Sequence, residues 1–141
     1  MSIGNFCNFL LVTLVSMTLS MPVSAAAEEA FGNWKDTETG ATFSVYSCGR
    51  GLCIKVLRSK ADGEKDVNNP HPALRDRAIA GILLMSDAAQ SSQNDWKGQL
   101  YNAEDGKIYT GYVRVQSTNA IKLEGCILGG LICRSRIWQR I

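Results

Sequence analysis

From residue 31 onward the hydrophobic positions fall mostly at every second residue, and glycine-centred turns interrupt them at short intervals. That period belongs to antiparallel strands joined by hairpins, not to helices. It predicts up to eight strands: Phe31 to Asp36, Ala41 to Ser47, Leu52 to Arg58, Ile79 to Ser86, Trp96 to Tyr101, Lys107 to Gln116, Ala120 to Gly125 and Leu131 to Arg140. Turns are expected at Glu38-Thr39-Gly40, Gly49-Arg50-Gly51, Glu104-Asp105-Gly106, Ser117-Thr118-Asn119 and Gly129-Gly130, whose residues accept positive φ or close a turn by side-chain hydrogen bonds. Strands this short and numerous leave exposed edges in an open sheet, and closure removes them. The expected fold is all-β, a small antiparallel up-and-down barrel of about eight strands with one long loop between the third and fourth. An eight-stranded barrel has an interior just wide enough for its side chains or for one small ligand.

Two cysteine pairs fit these hairpins. If Arg50-Gly51 is a two-residue turn, Cys48 falls opposite Cys53 at a non-hydrogen-bonded position, with Val45 against Val56 and Tyr46 against Lys55. A Gly129-Gly130 turn likewise sets Cys126 opposite Cys133. The expected disulfides are Cys48–Cys53 and Cys126–Cys133, and closing loops this short is worth about 2 to 2.5 kcal/mol each on the chain-entropy model. They are structural staples, not catalytic thiols.

Two stretches depart from the alternation. Ser59 to Ala78 is a polar connection with two prolines, in which Ala73 to Ala78 could make a helical turn, and Asp87 to Asp95 reads as an ordinary loop. A connection as long as the first is usually a lid, an ordered functional loop or a disordered segment. At the other extreme, residues 1–27 carry no Asp, Glu, Lys or Arg, and Phe9 to Leu19 is almost wholly apolar. That run is too short for a span of about 20 residues but suits a secretory signal, with cleavage expected after Ala25 or Ala27. Cys7 departs with the signal, so the domain at 28–141 keeps an even set of cysteines, as expected of an exported protein in the periplasm of a Gram-negative bacterium or beyond it. No stable membrane span remains after cleavage.

Composition adds exclusions. With 15 Lys+Arg against 13 Asp+Glu, a net charge of +2 is too weak for a nucleic-acid footprint, and 20% charged with 45% hydrophobic residues is not the composition of a disordered chain. His71, the only histidine, lies between two prolines with no partner at metal-ligand spacing, so neither a metal site nor a Ser-His-Asp or Cys-His arrangement is expected. No catalytic residue and no cofactor site is recognisable. The hydrogen-bonding set Asp66, Asn68, Asn69, Arg75 and Arg77 in the long loop serves either to satisfy the loop's own backbone or to make contacts at the barrel mouth. The last strand carries Arg134, Arg136, Trp138 and Arg140 on one face, the face that also holds Leu123 and Ile121 of its partner. Either arginines line part of the interior, where they would suit a carboxylate or phosphate, or they lie outward or at the barrel end, stacked on tryptophan.

The order of Gly32-Asn33-Trp34, the Cys48–Cys53 hairpin, Asp66-x-Asn68-Asn69-Pro70 with Pro72-Ala73-Leu74-Arg75, Trp96-x-Gly98, Tyr101, Glu104-Asp105-Gly106-Lys107-x-Tyr109, and Gly125-Cys126 before Arg134 and Trp138 resembles the bacterial family of domain of unknown function 2147 (DUF2147). The resemblance spans nearly all of the chain after the signal. It implies a small exported protein with a lipocalin-like barrel, in which Gly32, Trp34 and Trp138 are structural and a late arginine, Arg134 or Arg136, packs over Trp34. It brings no reaction or cofactor.

Two functions are open to such a chain. One is binding of a small hydrophobic or amphipathic ligand, with Phe43, Val45, Ile54, Val56, Tyr109, Val113, Val115, Arg134 and Arg136 as candidate lining. The other is an envelope interaction module whose barrel is filled by its own side chains and whose loop or outer face meets a protein partner. An enzyme is the least supported.

Overall fold

The computed structural model describes residues 28–141, and the signal segment expected at 1–27 lies outside them. Eight strands follow one another: β1 (Gly32–Asp36), β2 (Thr42–Cys48), β3 (Gly51–Arg58), β4 (Leu83–Gln90), β5 (Asp95–Asn102), β6 (Lys107–Ser117), β7 (Ala120–Ile127) and β8 (Ile132–Arg140). Each pairs antiparallel with the next, and β8 returns to β1 to close the barrel. The long loop joins β3 to β4, and its one regular piece is a 3₁₀ turn at Pro72–Leu74, earlier and shorter than the helical turn expected over Ala73 to Ala78.

Side chains alternate across the wall. Trp34, Phe43, Val45, Leu52, Ile54, Val56, Met85, Ala88, Trp96, Leu100, Val113, Ile121, Leu123 and Trp138 are buried inside. On the outer face Arg114 of β6 reaches Asp95 at 3.2 Å and Glu124 at 3.3 Å, and its guanidinium and the Lys97 ammonium both lie over the Tyr112 ring. An apolar interior inside a polar exterior is the reverse of a membrane-spanning barrel. No helix among the described residues is long and apolar enough to cross a membrane.

The strand ends differ from expectation in two places. The β2–β3 turn uses Gly49 and Arg50, not Arg50 and Gly51, because Gly49 supplies the positive φ (56°) that a two-residue hairpin needs. Cys48 therefore pairs with Gly51, Tyr46 with Cys53 and Val45 with Ile54, two residues out of the expected register. An even slip leaves every side chain on its face. Cys48 and Cys53 still meet, diagonally, with Cα atoms 5.8 Å apart. Cys126 and Cys133 are bonded directly across the β7–β8 ladder, as the turn residues predict, at 4.1 Å.

β4 is displaced toward the C-terminus relative to the expected Ile79 to Ser86, and it runs into the segment read as a loop as far as Gln90, leaving 91–94 as the turn. Met85 and Ala88 both point inward although they are three residues apart. A bulge absorbs the extra residue, with Asp87 at φ 51°, and so breaks the period of two that a strand reading relies on. Residues 79–82 instead close the loop: Ile79 N–H donates to the Glu64 carbonyl and Gly81 N–H to that of Val56.

The end of the barrel where the chain enters is sealed. Trp34 is fully buried, its indole N–H donates to the Ala30 carbonyl at 2.9 Å, and Phe31 packs against Trp96 at 5.8 Å. The arginine over the Trp34 ring is Arg140, at 4.2 Å from the centroid, and not Arg134 or Arg136. Trp34 pairs with Arg140 in the β1–β8 ladder, whereas the other two arginines sit nearer the opposite end of β8. The Arg140 guanidinium also donates to the carbonyls of Glu29 (2.6 Å), Phe31 (2.9 Å) and Thr118 (2.6 Å).

Gly32 makes room for that guanidinium. A Cβ at Gly32 would lie 2.4 Å from Arg140 Nη1, on a backbone with φ 139°. Gly32→Ala should therefore destabilise the barrel in urea denaturation by about 2 kcal/mol or more. Arg140→Ala, which removes three hydrogen bonds and the ring contact, should cost about 2–4 kcal/mol. In the double variant the clash is gone, so the two effects should fall short of additivity by about 1 kcal/mol. Full additivity would mean that the guanidinium does not occupy the space above Gly32.

Candidate functional site

The interior is filled at the sealed end and hollow at the other. A cavity of about 490 Å³ opens among the β1–β2 turn, the long loop, the β5–β6 turn and the β7–β8 ladder. Its apolar wall comes from Ala41, Phe43, Val56, Leu84, Leu100, Leu123 and Trp138, with Ile79 contributed by the long loop. Phe43 of β2 and Trp138 of β8 stack face to face at 4.0 Å, bridging over β1. Glycine at position 125 adds open wall between Leu123 and the rim.

The rim is charged. Asp36 is buried, and its Oδ1 accepts the backbone N–H groups of Glu38 (2.7 Å) and Thr39 (3.0 Å), so it is committed to the turn. Glu38 is paired with Arg136. Lys60 bridges Glu104 at 3.2 Å and Glu64 at 3.8 Å, and the hydrogen bond to Glu104 is the main reason its pKa is raised. These pairs are solvent-exposed and contribute little to stability. Among the described residues of the rim, Arg134 alone is a cation with no carboxylate within ion-pair distance.

A buried polar cluster holds the long loop down. Asp66 is 0% exposed. Its Oδ1 accepts the Tyr101 hydroxyl at 2.5 Å, while Oδ2 accepts Asn69 Nδ2 at 2.8 Å, Arg77 Nε at 2.9 Å and Arg77 Nη2 at 2.8 Å. Burial alone would raise the pKa of this carboxyl, but the bonds from Tyr101, Asn69 and Arg77 outweigh it and the pKa is lowered. The Tyr101 phenol is pushed up to about 12, first by burial and then by its bond to Asp66. Around this centre Arg75 Nε donates to the Asn69 carbonyl, His71 N–H to Asn69 Oδ1, and Asn68 Nδ2 to the Glu104 carbonyl, which ties the loop to the β5–β6 turn. All the Asp66 acceptor sites in use face protein donors, so the carboxylate is an anchor and not a base presented to a substrate.

The sequence-derived candidates divide by depth. Phe43, Val56, Tyr109, Arg134 and Arg136 line the cavity. Val45, Ile54 and Val113 are sealed in the filled half, and Val115 is only partly buried beyond them, so none of the four reaches the cavity. Alternation assigns a residue to a face and says nothing about height along the barrel. Asp66, Asn68, Asn69, Arg75 and Arg77 also stay out of the cavity lining, since their bonds are spent within the loop and on the β5–β6 turn. Leu84, Leu100 and the charged rim have no place among the sequence-derived candidates, and Leu123, expected inward with Ile121, is not among the candidate lining residues. For Leu100 and Leu123 the signal was present in their alternation with Trp96 and Ile121, whereas the rim pairs join segments distant in sequence. Tyr109 is at the rim, where donation to Asp105 is the chief cause of its raised pKa.

Both ends of the pH scale should loosen the loop. Asp66 is depressed, so its stabilisation is present above the unfolded carboxyl value of about 3.9 and is lost as pH falls through the lower folded value. Tyr101 is raised, so its contribution is full below about 10 and is lost as pH rises through about 12. Phenolate absorbance should show a step near 12 that Tyr101→Phe removes. Hydrogen exchange of peptides from 64–79 should stay slow down to about pH 4, and Asp66→Asn should speed it at neutral pH by about tenfold or more. Unchanged exchange in Asp66→Asn would show that the loop is held by something else.

Comparison with curated proteins gave no match. Among solved structures, the chain is similar to one described as "Protein HP1028 from the human pathogen Helicobacter pylori belongs to the lipocalin family". The identity is 24% and the TM-score 0.69, over 79% of this chain and 82% of that one, a likeness of fold. A family model described as "Uncharacterized protein conserved in bacteria (DUF2147)" matches residues 32–140, the whole barrel from the first strand to the last. The chain belongs to the DUF2147 family and has a lipocalin-like fold.

Proposed function

We propose that this chain is an exported periplasmic barrel that binds one small amphipathic ligand, its apolar part against Phe43, Leu100, Leu123 and Trp138 and an anionic end beside Arg134. The observation that carries the reading is the cavity of about 490 Å³, which lies within the range of about 300–1,000 Å³ usual for small-molecule sites. It combines a mostly apolar wall with a single uncommitted cation at its mouth, the pairing of features expected of a site for an amphipathic acid. The neighbouring structure described as a lipocalin supports the same class of function by fold. The competing idea, an interaction module filled by its own side chains, has the open half of the barrel against it.

Export is part of the proposal. Two disulfides favour an oxidising compartment. The apolar run Phe9 to Leu19 followed by Val23-Ser24-Ala25 and Ala25-Ala26-Ala27 supports signal cleavage after Ala25 or Ala27.

Native mass spectrometry of protein recovered after export, followed by titration with medium-chain fatty acids and the matching alcohols, tests this reading. The wild type should bind the acids. Leu123→Trp, which narrows the cavity beside Trp138, should weaken binding of both series severalfold. Arg134→Gln should weaken the acids by about tenfold or more while leaving the alcohols unchanged. A wild-type barrel that arrives empty and binds neither series would overturn it.

A further inference from the structure

The tip of the β7–β8 hairpin is unlike the rest of the surface. Between Cys126 and Cys133 the chain reads Ile127-Leu128-Gly129-Gly130-Leu131-Ile132, with no polar side chain. Leu128 is 67% exposed, Leu131 84% and Ile132 50%, and Ile108 at the start of the neighbouring β6 is 55% exposed. Contiguous exposed aliphatic side chains on a small domain mark a contact surface. The Cys126–Cys133 disulfide closes the base of the tip, so these residues cannot fold back into the barrel without breaking the ladder beneath them.

The surroundings indicate what the surface meets. Arg134 follows the tip directly along the chain, Lys107 lies beside it at the start of β6, and both are exposed. Of the acids in the adjacent β5–β6 turn, Glu104 is ion-paired with Lys60, whereas Asp105 accepts only from the neutral Tyr109 hydroxyl and Lys107 N–H. Aliphatic residues standing out beyond the two cations Lys107 and Arg134 match the layering of a bilayer surface, with acyl chains below and anionic headgroups above. The surface lacks the aromatic anchors that usually carry a protein–protein contact.

We propose that the β7–β8 tip is a lipid-docking surface, which enters the headgroup and upper acyl region of an anionic bilayer and holds the barrel with its mouth toward the membrane. The two strands that bear the tip line the cavity rim with Gly125 and Arg134, so a docked barrel opens directly over the lipid. The inference rests on the exposed tip and its charges, and stands whether or not the cavity carries a ligand.

Protein recovered after export is mixed with vesicles of phosphatidylcholine and phosphatidylglycerol, or of phosphatidylcholine alone, and the bound fraction is read by flotation. The wild type should float with the anionic vesicles and much less with the neutral ones. The Leu128→Ser and Leu131→Ser double variant should lose at least about tenfold in apparent affinity, and Lys107→Glu should lose severalfold and flatten the salt dependence. All variants share one N-terminus, so any contribution from it cancels, and the exposed sites leave the near-ultraviolet circular dichroism unchanged. A Leu131→Trp variant should shift its emission to the blue on anionic vesicles and be quenched by lipids with brominated chains beyond any change in the wild type run in parallel, which corrects for Trp138 in the cavity wall and for the buried Trp34 and Trp96. Equal flotation of wild type and double variant would overturn the proposal. So would an unquenched Leu131→Trp, or a dimer that the double variant dissociates in the absence of vesicle binding.

Discussion

Closure of the barrel rests on the seam between β1 and β8. At five residues β1 is the shortest strand, and three register pairs join it to β8: Trp34 to Arg140, Lys35 to Gln139 and Asp36 to Trp138. The side chains at this seam compensate for its brevity. Trp34 is anchored to Ala30, Arg140 lies over its ring, and Trp138 stacks on Phe43 across β1 from the far side. A barrel without this seam would expose two sheet edges and open the filled half of the core. The cavity therefore depends on packing at its opposite end.

The two halves divide stability from binding. The sealed half concentrates large buried side chains, while the open half carries ion pairs that are exposed and individually weak. Rim charges can thus be rearranged with little consequence for the fold. The exception is the carboxylate of Asp66, wholly buried and shared among Tyr101, Asn69 and Arg77. It makes the long loop an ordered wall of the mouth.

Much of the fold was legible in the sequence, because an up-and-down barrel writes its period directly into alternating residues and its turns into glycine, asparagine and aspartate. Seven of the eight strands lie near their expected positions for that reason. β4 was misplaced where the bulge at Asp87 sets Met85 and Ala88 three residues apart. The β2–β3 register was two residues out because Gly49 and Gly51 are both able to open the turn, and only the folded backbone shows that Gly49 takes the positive φ. The cavity was less legible. Face is a local property, whereas height along the barrel depends on strand stagger, so Phe43 and Val56 reach the cavity and Val45 and Ile54 do not. Pairings such as Lys60 with Glu104, or Asp66 with Tyr101, join segments more than thirty residues apart and leave no local trace.

The arrangement of Arg140 has a bearing on orientation. Its guanidinium bonds to the carbonyls of Glu29 and Phe31, and Ile141 N–H donates to the Asn33 carbonyl, so residues at both ends of the described chain lie side by side at the sealed pole. A tether, tag or fusion partner attached through either end would hang from that pole and leave the opposite one unobstructed. The same adjacency makes the molecule a natural candidate for circular permutation, with a short linker joining the ends and new ones opened in the 91–94 turn at the same pole.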